Sequence, residues 1–267
     1  MSSDGLIDTQ KEKLSQIFSE IPWGIWEKIV KKEPEWQNME FFLPSYGFGP
    51  FAVLMVVTGL NDYQLKGKAD VSYWPKIRKV LETSPPPSSP NELCNLLTSF
   101  YQNERLNKNK IERLKRFLGS PLSSALWKSH PHKISEEFLN IWHELARTMN
   151  QNPSAKTIVF SMKCLGISLL MAGEYGFDFV PIPIPVDLRV RKFTNQLGFA
   201  ITMDDDVRTL WSDVHSILRK SDSRVTMIHL DSLVWQIAPM NKHELQKYFR
   251  DLGIPQVGDQ LCVLLHL

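Results

Sequence analysis

Residues 156–172 are apolar almost all round. A helix of that kind has no face to turn to water, so other elements must enclose it. The rest of the chain supplies helices for that purpose. Over residues 10–31 the apolar positions Leu14, Ile17, Phe18, Ile21, Ile25, Ile29 and Val30 keep helical spacing, interrupted at Pro22. Pro34 breaks the pattern again. Gly47 to Pro50 reads as a turn, followed by an apolar helix to about Leu60. Trp74 to Thr83 is a short amphipathic helix. Further helical spacing covers 91–101, 105–118, 135–149, 204–219, 228–238 and 241–252. No alternating strand series and no repeat is present, so the class is all-α.

Two proline segments punctuate these helices. Ser84-Pro-Pro-Pro-Ser-Ser-Pro90 cannot continue a helix and acts as a rigid connector, with a new helix beginning near Asn91. Val180-Pro-Ile-Pro-Ile-Pro-Val186 places proline at every second position, which forbids a helix and restricts the backbone. Asp187 follows as an N-cap for a helix over Leu188–Leu197, stopped by Gly198.

Composition excludes several classes. With 31 basic and 29 acidic residues the net charge is +2, so any nucleic-acid surface has to be local. The longest apolar run, Phe48 to Leu60, is shorter than the roughly 20 residues that cross a bilayer. Met-Ser-Ser-Asp-Gly at the start has no basic region followed by an apolar stretch, so no signal peptide is expected and a cytoplasmic location is. Cys94, Cys164 and Cys262 form no CxxC pair, which excludes a four-thiolate zinc or iron–sulfur site within the chain. No metal is expected, and His130-Pro-His132 reads as an exposed loop. Gly47-Phe-Gly-Pro-Phe-Ala52 matches a dinucleotide fingerprint by letter only, because no strand precedes it and Pro50 removes a backbone donor.

Four local features could carry chemistry or binding. From Arg105 to Phe117 stand six cations and one acid, either a solvated helix face or a phosphate contact. Lys156, Phe160 and Lys163 fall at i, i+4 and i+7, one stripe of an otherwise apolar helix. Desolvation disfavours an ammonium, and a neutral amine is a nucleophile, although a lysine in a first turn can also point simply to water. Asp187 is either a plain cap or a carboxylate kept ionised by the helix dipole and aimed by the proline lead-in. Asp231 and Trp235 share one helix face, a carboxylate beside an indole.

Read in order, Lys-Thr-Ile-Val-Phe-x-x-Lys, Ile-Pro-Ile-Pro-Val-Asp-x-Arg-Val and Leu-Asp-x-Leu-x-Trp resemble the archaeal 8-oxoguanine DNA glycosylase/AP lyases of the AGOG type. That group is a divergent branch of the helix-hairpin-helix glycosylase superfamily. Leu60-Asn-Asp-Tyr-Gln-Leu-Lys-Gly-Lys68, with Trp74 after it, is similar to a further family segment. The likeness is dense over about 60–75 and 156–198 and returns at 228–238.

The resemblance implies two helical lobes with a cleft between them. The middle lobe spans roughly 61–155, the second lobe roughly 1–60 plus 190–267, and the hairpin and catalytic segment roughly 156–190. It makes Lys156 the catalytic lysine and Asp187 the catalytic aspartate. Trp74, Phe160, Lys163, Asp231 and Trp235 match positions that line the base pocket. The family's pocket glutamine has its best match in Glu35, after Glu33-Pro34, with Gln37 two residues on, and the departure leaves this contact open. The Leu-Pro-Gly-x-Gly hairpin of the wider superfamily and the cysteines of its cluster-bearing branch are absent.

The implied activity is excision of 8-oxoguanine from DNA, followed by β-elimination through a lysine Schiff base, with no cofactor. The expected partner is double-stranded DNA containing the lesion, with single-stranded DNA as a second form, and the expected state is a monomer without a membrane. The competing reading is a helical nucleic-acid-binding protein that uses 105–117 and performs no chemistry. A third is a Schiff-base lyase acting on a small carbonyl compound.

Overall fold

The computed structural model describes residues 3–199 and 201–266, and among them no strand is formed. Helices α1 (Ser3–Ser19) and α2 (Trp23–Lys31) are separated at Pro22. Then come α3 (Pro34–Met39), α4 (Leu43–Tyr46), α5 (Phe48–Leu60), α6 (Trp74–Glu82), α7 (Pro90–Tyr101) and α8 (Asn107–Leu118). α9 (Pro121–Trp127), α10 (Pro131–Glu136), α11 (Phe138–Met149) and α12 (Lys156–Met171) complete the middle of the chain. After the proline segment follow α13 (Leu188–Gln196), α14 (Asp204–Ser221), α15 (Met227–Ile237), α16 (Lys242–Asp251) and α17 (Pro255–Leu264). None of these helices is long and apolar enough to cross a membrane.

Contacts divide the chain into two compact units. One holds residues 32–181, with α12 lying along α5 as its central pair. As the apolar pattern requires, α12 is buried from Ile158 to Leu170 except at Phe160. The two helices touch at Gly59, where an added Cβ would lie 2.9 Å from Cys164 Sγ and 3.0 Å from Ser161 Cα. Gly49 plays the same part against α9, with Trp127 O only 2.2 Å from a built Cβ. Gly47, at φ +73°, ends α4 and begins α5, so of the two glycines of the fingerprint-like string one makes a turn and the other a close helix contact. Residues 32–60, which the resemblance placed with the termini, pack in this unit through the α5–α12 contact.

The other unit joins the chain up to Lys31 with everything from Ile182 on. In it α1 packs on α14 and α17, α2 on α15, and α13 on α14 and α15. Phe193 of α13 stacks on Trp211 of α14, whose indole donates to Thr194 Oγ1 at 2.9 Å. Ile182, Ile184 and Val186 alternate with the prolines and are buried, which seats the segment leading to Asp187.

The helix expected over 135–149 is broken at Glu137 into α10 and α11, and α10 begins earlier, at Pro131. His130 caps α10, its Nδ1 accepting from Lys133 N at 3.4 Å. Helices α3, α4, α9 and α17 are additional to the periodicity reading. Of these α3, α9 and α17 begin at proline, Pro34 included, because proline in the first turn costs no hydrogen bond and there starts a helix.

Candidate functional site

Lys156 is the first residue of α12 and half-buried, so its side chain leaves the helix where the apolar sheath ends. Phe160, one turn on, is half-buried, and Lys163 is 2% exposed. The Lys163 ammonium lies 5.8 Å from the centre of the Phe160 ring. The lysine–aromatic–lysine stripe therefore exists, but its two lysines differ. Lys163 is locked in the interior by Glu33, at 3.2 Å between Nζ and Oε1.

Glu33 precedes Pro34 and Glu35 follows it, and both carboxyl groups turn inward, 1% and 3% exposed. Burial, with the Glu33 carboxylate beside it, pushes the Glu35 acid well above the usual carboxylate range. Its Oε2 has no hydrogen-bond partner. Asp62, just beyond α5, adds further negative charge near Glu35 and accepts the Trp74 indole N–H at 3.0 Å. Trp74 is fully buried, fixed by that bond and by edge-on contact with Tyr73. Thus Lys163, Glu35, Glu33 and Trp74 belong to one buried neighbourhood of residues 32–181 together with Asp62, and the half-buried Phe160 ring lies beside Lys163.

Helix α12 is held at its start by a residue that the sequence placed elsewhere. Arg113 donates through Nη2 to Leu60 O at 3.1 Å and Thr157 Oγ1 at 3.0 Å, and through Nη1 to Gln151 Oε1 at 3.1 Å. It ties the end of α5 to the residue next to Lys156. Lys110 is wholly buried, 3.8 Å from Glu104 and over the rings of Tyr63 and Tyr73. Arg116 donates to Met149 O at 3.3 Å. Three of the six cations in the 105–117 stretch are thus engaged by the fold, while Arg105, Lys108 and Lys115 are exposed. The stretch is therefore not a plain solvated face.

In the other unit, Asp187 is the N-cap of α13, its Oδ1 accepting from Val190 N at 2.9 Å. The second carboxylate oxygen is not used in that cap. Asp231 on α15 is 2% exposed, and Trp235 lies one turn further on. The Arg189 guanidinium sits 4.0 Å over the Trp235 ring. Arg189 is two residues from Asp187, so the cap of α13 and the indole of α15 are linked through one short segment.

Glu33, Asp62, Arg113 and Arg189 were missed as site residues by sequence reasoning. The only signal for them was adjacency: Glu33 to Pro34-Glu35, Asp62 to the Leu60–Lys68 segment, and Arg189 to Asp187. Nothing local marks Arg113, whose partners are 38 to 53 residues away.

Comparison with known proteins puts this geometry in context. The profile of the AGOG family, described as N-glycosylase/DNA lyase, matches residues 15–259. An N-glycosylase/DNA lyase of Thermococcus kodakarensis is 29% identical over 193 residues, covering 70% of this chain and 67% of the relative. One of Methanopyrus kandleri is 28% identical over 183 residues, 68% of this chain and 70% of its own. Among solved structures, the 8-oxoguanine DNA glycosylase Pa-AGOG of Pyrobaculum aerophilum, complexed with 8-oxoguanosine, superposes with a TM-score of 0.68 at 20% identity. That match covers 86% of this chain and 88% of the other, and it shows the shared all-α fold.

Proposed function

Given that the chain belongs to the AGOG family of N-glycosylase/DNA lyases, we propose that it excises 8-oxoguanine from DNA and then cleaves the abasic strand through a Schiff base on Lys156. The observation that carries the reading is the α12 stripe. A half-buried lysine stands at the first turn, a half-buried aromatic one turn on, and a second, buried lysine paired with Glu33 lies beside that ring.

The chemistry follows from these groups. A base inside a duplex is out of reach, so the nucleotide is flipped out. Phe160 and Trp235 offer π-faces, each such stack contributing about 1–3 kcal/mol. Asp231 is a suitable acceptor for the donors on the purine's pairing edge. Oxidised guanine carries a hydrogen at N7 where guanine has a lone pair. A buried acceptor such as Glu35 is satisfied only by the lesion, and an unpaired buried polar group is costly.

The Lys156 amine then forms a bond to C1′ as the bond from C1′ to the base breaks, and the base leaves with a proton. Asp187 stabilises the positive charge that develops on the sugar and helps move the proton of the lysine. Opening of the sugar gives the imine, which acidifies the C2′ hydrogens. Loss of one of them expels the 3′ phosphate, and water releases the lysine.

Borohydride trapping on a lesion-containing duplex tests the proposal. A covalent complex that is absent in Lys156→Ala supports it. Salt-dependent binding with neither trapping nor base release identifies a binding protein instead. The remaining parts of the proposal are action on single-stranded as well as double-stranded DNA, a monomeric state and a cytoplasmic location.

A further inference from the structure

The first turn of α12 carries Lys156, yet it has no side-chain cap of its own. Ala155 stands at the N-cap position, and no acidic residue occupies the turn. The hydroxyl of that turn belongs to Thr157, and it is engaged from outside the helix. Arg113 of α8 donates to it through Nη2 at 3.0 Å, and the hydroxyl itself donates to Gln151 Oε1 at 3.1 Å. Gln151 Oε1 also accepts from Arg113 Nη1 at 3.1 Å, which closes a triangle of hydrogen bonds. Gln151 lies in the connection from α11 to α12, so the triangle holds the start of α12 together with the segment that leads into it.

The charge in this triangle does not favour α12 itself, because a helix N-terminus repels a cation and attracts a carboxylate. The guanidinium is favoured instead by the C-terminal end of α5, where Nη2 also donates to Leu60 O at 3.1 Å. It further lies 5.3 Å from the centre of the Tyr63 ring. A guanidinium is a planar fork with donors in fixed directions, so the places it binds are held in register with one another. Here the fork joins the end of α5, the α11–α12 connection and the first turn of α12. Arg116 of the same helix makes a simpler tie, to Met149 O at 3.3 Å.

We propose that Arg113 is a positioning residue for the lysine chemistry: acting through Thr157, it holds the first turn of α12 so that Lys156 meets the sugar carbon in a reactive geometry. Lys156 is the neighbour of Thr157, and its Cα is set by the same turn. Its side chain is long and flexible, so a turn that frays widens the range of positions that the amine samples. A displacement of about 1 Å at the reacting atoms can cost about 100-fold in rate. Binding of the DNA does not depend on that alignment and is left intact. The inference rests on the proposed role of Lys156 and adds a residue of α8 on which bond formation depends.

The test separates bond formation from binding. The rate of forming the borohydride-trapped adduct is measured in a single turnover, with saturating enzyme, on a duplex carrying a preformed abasic site. Affinity is measured on a duplex carrying a tetrahydrofuran analogue, which cannot form an imine. Thr157→Val removes one bond and leaves Arg113 its bonds to Leu60 O and Gln151, whereas Thr157→Ser keeps the hydroxyl. Thr157→Val and Arg113→Met are expected to slow adduct formation by about 10- to 100-fold with unchanged affinity. Thr157→Ser should react as the parent does, and the double variant should lose less than the product of the two single losses. Arg116→Met, which also removes a tie from α8, should lower the melting temperature and leave the rate alone. Rates are compared at a temperature where circular dichroism shows each variant folded; if Arg113→Met does not fold, the two threonine variants carry the test. A parent-like rate in Thr157→Val, losses that multiply in the double variant, equal slowing by Arg116→Met, or a fall in affinity that accounts for the slower rate overturns the inference. Any of these with trapping by the parent removes only this inference, whereas failure of the parent to trap removes the proposed function and the inference with it.

Discussion

Replacing Gly59 with alanine tests the packing that positions α12. The substitution brings two opposed terms. Alanine in a helix interior is favoured over glycine by up to about 1 kcal/mol. Against this, the new methyl would lie 2.9 Å from Cys164 Sγ, 3.3 Å from Cys164 Cβ and 3.0 Å from Ser161 Cα. The sulfur can rotate aside, but the Ser161 contact is to backbone, so α5 and α12 must separate. Overpacking of this kind costs about 1–3 kcal/mol. Gly59→Ala is therefore expected to lose about 1–2 kcal/mol, and at about 2–4 °C per kcal/mol the melting temperature falls by roughly 2–8 °C. Gly24→Ala isolates the favourable term, because nothing lies within 4 Å of a Cβ there. That variant should be unchanged or more stable. Denaturant titration of both variants gives the free energies. A Gly59→Ala protein as stable as the Gly24→Ala protein would refute the close approach of α5 to α12, and with it the argument that α12 is held in one position.

Three further outcomes follow from the buried charges and the cap. His229 is neutral in the fold, pushed down to about 3 from 6.5 mainly by burial. Its contribution to stability is complete above pH 6.5 and is lost as pH falls toward 3, by up to about 5 kcal/mol in all; stability measured against pH should flatten over that window in His229→Gln, and an unchanged slope contradicts the assignment. Lys163→Met leaves Glu33 and Glu35 together without their ammonium and should cost about 3–5 kcal/mol, of which Glu33→Met in the same protein restores part; additive losses in the double variant would mean that the pair is not coupled. Asp187→Asn retains an N-cap and should fold normally, while base release slows by about 100-fold or more; near-normal turnover would reduce Asp187 to a cap.

The parts of this molecule that were legible in the sequence are those whose cause is local. The nearly all-round apolar character of 156–172 required a buried central helix, and α12 is one. Prolines at 181, 183 and 185 required non-helical backbone, and the side chain of Asp187 in front of Leu188-Arg-Val190 required a cap, which it forms. Other parts depended on context. Proline was read as a break, yet Pro121 and Pro255 open helices because the first turn needs no donor there. The basic run at 105–117 looked like a surface, but Lys110 and Arg113 are drawn inward by Glu104, Leu60 O and Thr157. The Glu33–Lys163 pair spans 130 residues, and no periodicity carries such a pairing. The inward turn of Glu35 is of the same kind, since its short segment is polar in sequence and buried only by what packs over it.

The measurement that bears most directly on the proposed mechanism is the site of covalent attachment. After borohydride reduction with a lesion-containing duplex, the adduct is digested with protease and nuclease and the modified peptide is sequenced by mass spectrometry. The mechanism predicts a single reduced sugar fragment on the ε-amine of Lys156. A fragment on Lys163 or on any other amine, or no fragment while the base is still released, would contradict it.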